Sequence, residues 1–208
     1  MSPGTLESVN VGTPRAVEHN GENVLTGIWK HPVAGPVAVR GVNLDGDDQA
    51  DRSVHGGSDK AVYAYACEDY EWWESQLGRK LPPGTFVENL TLRGIDVNCA
   101  LIGEHWRVGT ARLEVSEPRF PCWKLSTRMD DPGFLKTFAK ALRLGAYLRI
   151  VEPGTFAAGD TVTVEHRPDH DVTIELFGRA HLTDHSLRPH VARAPALAAR
   201  WRELFAGE

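Results

Sequence analysis

The residues best suited to chemistry lie in the octapeptide PRFPCWKL at positions 118–125, where one cysteine is surrounded by prolines and cations. Pro121 fixes its own φ at about −65° and lacks an amide hydrogen, so it presents Cys122 on stiff, non-helical chain. Arg119 and Lys124 place positive charge nearby, which favours the thiolate over the thiol. A thiolate can act as a nucleophile or as a ligand for a soft metal.

Whether these side chains meet depends on the local backbone. In a straight strand, Cys122 and Lys124 share one face and Arg119 points the other way. A turn at Pro121 would bring all three together. Alternatively, Cys122 is a buried and inert structural thiol, which is a common fate of free cysteine.

A glycine pair precedes a cation in the segment HGGSDK at positions 55–60. Gly56 and Gly57 allow positive φ and let backbone amides approach an anion closely. Lys60 would add charge, and Asp59 could orient that lysine. The pattern GxxxxGK[ST] of a nucleotide-binding loop is not present. The segment therefore predicts an anion-handling loop, and a simple turn before a strand is the alternative.

The segment FVENL at positions 86–90 places an acid and an amide between apolar neighbours. Glu88 and Asn89 offer the donors and acceptors that would recognise a heterocycle such as a pterin or a purine. A strand end with exposed polar residues is the alternative.

Acidic and amide side chains also crowd residues 43–51. A calcium-binding EF-hand loop starting at Asp45 would need glycine and glutamate where Ala50 and Gly56 stand. We therefore expect no calcium, and we expect Asp47 and Asp48 to lie in a solvated turn. The cysteines form no CxxC pair, and no zinc is expected.

The composition is that of an ordinary soluble globular protein, with 208 residues, 41% hydrophobic and 25% charged. The net charge of −5 and the absence of a basic run argue against nucleic acid or an anionic membrane as a partner. No apolar window is long enough to span a membrane, and no signal pattern opens the chain. Three unpaired cysteines indicate reduced thiols. Together these features predict a cytoplasmic protein.

Short strands separated by turns are predicted up to about residue 170. Residues 112–116 and 161–165 alternate apolar and polar side chains, as half-buried strands do. Residues 61–66 are apolar and aromatic, which predicts a buried strand.

Helices are predicted at two places within this β pattern and again after residue 170. The first spans residues 68–77, with Gly78 just beyond its end. The second begins at Asp131 and Pro132 and ends at Gly145. Three short helices in residues 171–208 are too small to fold alone, so we expect them to pack on a β domain formed by residues 1–170 or on a partner.

Taken in chain order, four motifs resemble those of MOSC proteins, a family named after the C-terminal domain of molybdenum cofactor sulfurase. They are NLxGDxQAD at 43–51, HGGxDKAVYAY at 55–65, FxENL at 86–90 and PRxPCWKL at 118–125. The most similar branch is the stand-alone bacterial group whose best-known members confer resistance to hydroxylaminopurine and related N-hydroxylated compounds. The resemblance runs from about residue 5 to the C-terminus and includes the terminal helical segment.

The resemblance implies an α+β fold that is mainly β, with a MOSC-type β-barrel and a small C-terminal helical appendage. It implies a molybdopterin-type molybdenum cofactor with Cys122 as a molybdenum ligand. The implied reaction is reduction of an N-hydroxylated base or hydroxylamine to the amine, with electrons from a separate reductase. The residues that the match assigns to the cofactor pocket are His55, Gly56, Gly57, Asp59, Lys60, Glu88, Asn89, Arg119, Lys124 and, more weakly, Arg149.

Two residues depart from the family pattern, and two other functions stay open. Val87 stands where the family commonly has glycine, and Ala146 stands where it has an aromatic residue. Because valine favours negative φ, we expect Val87 to alter the shape of the pocket.

Cys122 could instead carry persulfide sulfur or deliver cofactor, or the protein could be a binding scaffold with an inert cysteine.

Overall fold

The computed structural model describes residues 2–48 and 56–206. The strands of this part are β1 (Gly4–Val11), β2 (Arg15–His19), β3 (Glu22–Thr26), β4 (His31–Pro32), β5 (Val37–Arg40), β6 (Asn43–Leu44), β7 (Val62–Ala66), β8 (Leu90–Arg93), β9 (His105–Val108), β10 (Ala111–Pro118), β11 (Ala146–Glu152), β12 (Gly154–Phe156) and β13 (Thr161–His166). The α-helices are α1 (Cys67–Leu77), α2 (Trp123–Met129), α3 (Phe134–Ala141), α4 (Ile174–Leu182), α5 (Arg188–Val191) and α6 (Ala199–Ala206). Short 3-10 helices span Ser58–Lys60 and His185–Leu187.

Seven of the described strands close a β-barrel in the order β13-β9-β10-β11-β7-β8-β1, and β1 pairs back to β13. β7 and β8 are parallel, whereas the other neighbouring strands of the barrel are antiparallel. β4 extends the sheet beyond β1, and β2 and β3 form a separate two-stranded hairpin. The predicted fold class, mainly β with helices, is confirmed.

The alternating strands place their apolar residues inside the barrel. Leu113 and Val115 of β10 are fully buried, as is Val162 of β13. β7 is buried on both faces, because aromatic residues of the helices and of the segment before β8 cover its outer side. Tyr65 of β7, for example, lies 4.5 Å from the Phe86 ring, centroid to centroid. A strand covered on both sides therefore reads as continuously apolar, as the sequence of residues 61–66 does.

The helices agree with the sequence in most but not all details. α1 ends where predicted, with Gly78 in the left-handed conformation at φ 63°. α3 ends earlier than predicted, because Leu142 already takes the left-handed conformation at φ 55°. Gly145 is left-handed as well, at φ 64°, but it lies just before β11. α2 has no counterpart in the sequence analysis. Its seven residues follow Pro121 so closely that the proline obscures the helical pattern.

The C-terminal helices pack on the barrel. Phe177 of α4 and Trp201 and Phe205 of α6 belong to the same continuous hydrophobic core as the barrel residues. The division of the chain at residue 170 stays a prediction. Within residues 2–48 and 56–206, no helix combines the length and apolar character needed to cross a membrane.

Candidate functional site

A turn at the end of β10 brings Cys122 to the mouth of the barrel. β10 ends at Pro118, and α2 begins at Trp123. Cys122 has extended backbone at φ −137° and ψ 169°, and its carbonyl accepts a hydrogen bond from the Leu125 amide at 2.9 Å. Because the chain turns here, Arg119 and Lys124 line the same cleft as Cys122.

The space between the walls of this cleft is about 610 Å³ when the part open to solvent is included, and about 80 Å³ of it forms the cavity proper. The described residues that line it are Thr26, Gly27, Ile28, Lys30, Asp47, Asp48, Lys60, Tyr63, Val87, Asn89, Arg119, Cys122, Lys124 and Tyr147.

Arg119 is a buried cation in the wall of the cleft. Its side chain packs over the Tyr63 ring, with 5.5 Å between the guanidinium carbon and the ring centroid. The buried Nη1 atom has no hydrogen-bond partner among the residues that the structure describes. Burial lowers the pKa of Arg119, but the nearby Tyr63, Cys122 and Tyr147 groups outweigh that effect and raise it above its ordinary value. Arg119 is therefore charged and retains a donor for a ligand.

Two lysines add positive charge to the cleft. The Lys60 ammonium lies 3.8 Å from a carboxylate oxygen of Glu117 and 5.8 Å from the centroid of the Tyr147 ring. Burial lowers the pKa of Lys60, and Glu117 partly offsets this effect. Lys124 is buried, and its ammonium lies 5.9 Å from the centroid of the Trp123 ring.

A third lysine, which the sequence analysis missed, lies in the wall formed by the N-terminal part of the chain. Lys30 donates to Asp47 with 2.5 Å between Nζ and Oδ2, and both residues are buried. Burial lowers the pKa of Lys30, although Asp47 opposes this shift. The prediction of a solvated turn is wrong for Asp47, because the carboxylate also accepts from the Gly12 amide. Asp48 is exposed. No sequence signal indicated this pairing, because Lys30 belongs to no motif and Asp47 is one of several acids in its loop.

Asn89 and Glu88 have different surroundings. Asn89 lines the cleft, where its side-chain nitrogen donates to Asp47 at 2.9 Å and its side-chain oxygen accepts from the Tyr63 amide. Glu88 is fully buried and does not line the cleft. Its Oε1 atom accepts from the Tyr70 hydroxyl at 2.6 Å, from the Gly84 amide and from Thr91. Desolvation raises the pKa of this carboxyl. Glu88 therefore organises the wall behind Asn89 and does not face a ligand in this structure.

The remaining predicted site residues lie beside the cleft or outside the described residues. Gly56 and Gly57 do not line it, although Gly57 adopts positive φ at 91° as expected. Asp59 pairs with Arg149 at 2.6 Å, and the salt bridge recorded for Lys60 runs to Glu117. Arg149 also donates to Glu114 and thus belongs to a surface network. His55 and the other residues 49–54 lie outside the described residues.

Val87 corrects one expectation about the backbone. It lines the cleft with φ +68°, which is the left-handed conformation that glycine favours. The valine therefore does not impose negative φ here. It keeps the glycine-like turn and adds an apolar side chain to the wall.

Comparison with known proteins assigns the chain to a family. A family model described as the MOSC domain matches residues 51–163. The chain belongs to the MOSC domain family. It is 33% identical over 201 residues to the uncharacterized protein YflK of Bacillus subtilis, an alignment that covers 95% of this MOSC protein and 91% of YflK.

Two further comparisons add to this assignment. A protein of Gibberella moniliformis named a reductase is 33% identical over 174 residues, which are 80% of the MOSC protein and 30% of the reductase. The crystal structure of YiiM from Geobacillus stearothermophilus superimposes with a TM-score of 0.81 and 31% identity, covering 99% of this chain and 98% of that one. The MOSC resemblance and the barrel fold that the motifs predicted are thus confirmed.

Proposed function

We propose that this MOSC protein binds a molybdenum cofactor of the molybdopterin type in the Cys122 cleft. The observation that carries this proposal is the meeting of one thiol with four cations, Lys30, Lys60, Arg119 and Lys124, at one cleft that opens to solvent. With the cofactor bound, the protein would reduce N-hydroxylated bases or hydroxylamines to amines, with electrons from a separate reductase.

The residues of the cleft fit such a cofactor. A molybdopterin-type group carries negative charge on its phosphate and its sulfur atoms, and cations in a partly desolvated wall stabilise such charge strongly. Arg119 offers a buried nitrogen that lacks a partner among the described residues. Cys122 would bind the metal, since a thiolate suits a soft or thiol-tolerant ion. Lys60, Arg119 and Lys124 would hold the anionic groups, and Asn89 would contact the heterocycle.

When bound, the cofactor supplies two-electron chemistry, in which R–NHOH, two electrons and two protons give R–NH₂ and water. The protein's part is to bind and orient the reactants. Tyr63, Val87 and Tyr147 exclude water from one side of the cleft, which strengthens each electrostatic contact inside it. The Lys30–Asp47 pair is fixed in the wall of the cleft through the Gly12 amide and Asn89.

The fungal relative supports a reductive function, because it is named a reductase. This chain spans only 30% of that protein, so the name supports but does not define the present activity. A carrier of sulfur or cofactor is the second candidate, favoured by the partial exposure of Cys122. A carrier would hold its cargo without reducing a substrate.

Turnover of cofactor-loaded protein tests the proposal. Protein made in a host that synthesises molybdopterin should reduce N-hydroxylated adenine with reduced methyl viologen as electron source. The Cys122→Ala variant should lose about a hundredfold or more of kcat/KM, because the metal ligand is gone. Cys99→Ala is the matched control and should keep full activity, since desolvation and Asp96 raise the pKa of Cys99 to about 11 and leave it a protonated thiol.

Two outcomes would contradict the proposal. Equal turnover by Cys122→Ala would remove Cys122 from the reaction. Wild-type protein that holds molybdenum but reduces no N-hydroxylated compound would favour the carrier role.

A further inference from the structure

An aromatic stack of His19 on Trp123 adjoins the cleft residues in the chain. The rings of His19 and Trp123 are 3.8 Å apart between centroids, with 6° between their planes. Trp123 lies between Cys122 and Lys124 in the chain, and both of these neighbours line the cleft. One face of the indole is therefore covered by an imidazole, on the residue next to Cys122.

The His19 ring is carried by a hairpin that does not pair with the strands of the barrel. β2 and β3 form a two-stranded hairpin separate from the barrel, and most of its residues are exposed. His19 immediately precedes the tight turn at Asn20 and Gly21, which have φ values of 53° and 81°. Two-stranded ribbons are only marginally stable by themselves. The hairpin also leads into the cleft, because Thr26 at the end of β3 is a lining residue.

We propose that Trp123 is the stacking platform for a flat heteroaromatic N-hydroxylated substrate, and that His19 covers this platform until the substrate takes its place. The inference rests on the proposed reductase function and names the residues that select its substrate. A parallel stack at this spacing is the geometry in which a nucleobase lies on an aromatic side chain. A fused bicyclic ring covers more of the indole than an imidazole does, so the exchange favours the substrate.

A purely structural stack is the alternative, in which His19 only pins the hairpin to the barrel. In that case replacing Trp123 would affect flat and non-aromatic substrates alike. Selectivity between substrates is therefore the informative readout, rather than activity or stability alone.

Substrate selectivity of cofactor-loaded variants gives the first test. The kcat/KM ratio of N-hydroxylated adenine to N-methylhydroxylamine should fall about ten- to a hundredfold in Trp123→Leu, as expected for the loss of one stacked base. Trp123→Phe should restore most of that ratio. His19→Ala should lower the KM for N-hydroxylated adenine, because the platform is no longer covered. An unchanged substrate ratio in Trp123→Leu would overturn the inference. So would a higher KM for N-hydroxylated adenine in His19→Ala than in the wild type.

Binding of adenine to the protein as isolated gives a second test that needs no turnover. Equilibrium dialysis should show that the wild type binds adenine and that Trp123→Leu binds much less of it. Cyclohexylamine, which is not aromatic, should bind to neither protein. Equal adenine binding by both proteins, or none by the wild type, would contradict the platform. If the wild type made in a host that synthesises molybdopterin holds no molybdenum, the proposed function is refuted. Adenine binding would then still test the role of Trp123.

Discussion

Arg119 is a buried cation whose burial carries an electrostatic cost in the absence of a ligand. A buried guanidinium with an unsatisfied nitrogen loses several kcal/mol of hydration. The aromatic ring of Tyr63 offsets part of this cost, since it lies beneath the cation. An anionic ligand would supply the missing acceptor, so the same atom that destabilises the protein alone would stabilise a complex.

Val87 allows a prediction about backbone strain. A residue with a β-carbon in the left-handed conformation costs about 1–2 kcal/mol relative to a relaxed backbone, and glycine avoids this cost. Val87→Gly should therefore be about 1 kcal/mol more stable to unfolding than Val87→Ala, which keeps the β-carbon. Urea denaturation of both variants measures the difference.

The comparison with alanine isolates the effect of backbone conformation on stability, because both variants remove the valine methyl groups from the cleft wall. A Val87→Gly protein that is less stable than Val87→Ala would show that φ at this position is negative in solution.

At the scale of elements, the C-terminal helices hold the Cys122 turn in place. Phe120 precedes Pro121 and packs against Phe177 of α4 and Trp201 of α6, with 5.9 and 5.2 Å between ring centroids. The indole nitrogen of Trp201 also donates to buried Glu117 at 2.6 Å. The helical appendage therefore supports the site as well as covering the barrel.

Trp201 is the side chain through which this support can be tested. Trp201→Ala should cost about 3–5 kcal/mol of unfolding free energy, because it removes a large packed ring and leaves Glu117 short of a donor. Leu204→Ala is a control on the same helix, since Leu204 is 43% exposed, and it should change stability by less than about 0.5 kcal/mol. Chemical denaturation of both variants measures these effects, and equal small losses would show that α6 does not support the turn.

The elements were predictable where local patterns dominate. β10, β13 and α1 were found from alternation, helical spacing and Gly78, because each pattern reports which side of one element is buried. α2 and the end of α3 were missed, since tertiary packing decides whether seven residues after a proline form a helix and whether Leu142 turns left-handed.

Across the whole molecule, strand pairing assembles the site from distant parts of the chain. Lys60 precedes β7 and Arg119 follows β10, and both of these strands pair with β11. Lys30 precedes β4, which pairs with β1, and β1 pairs with β8 beside β7. The motifs identified Cys122, Arg119, Lys124, Lys60 and Asn89 as neighbours of one site. They could not separate Glu88 and Arg149 from it, nor find Lys30, because the register of strands sets which side chains face the cleft.

We propose that Cys122 binds molybdenum within this cationic cleft. The most direct test of this proposal is the molybdenum content of the purified chain, made in a host that synthesises molybdopterin. The wild type and Cys67→Ala should each hold about one molybdenum per chain, since burial raises the pKa of Cys67 to about 11 and keeps it a thiol. Cys122→Ala should hold almost none. Full molybdenum content in folded Cys122→Ala would show that Cys122 is not a required molybdenum ligand.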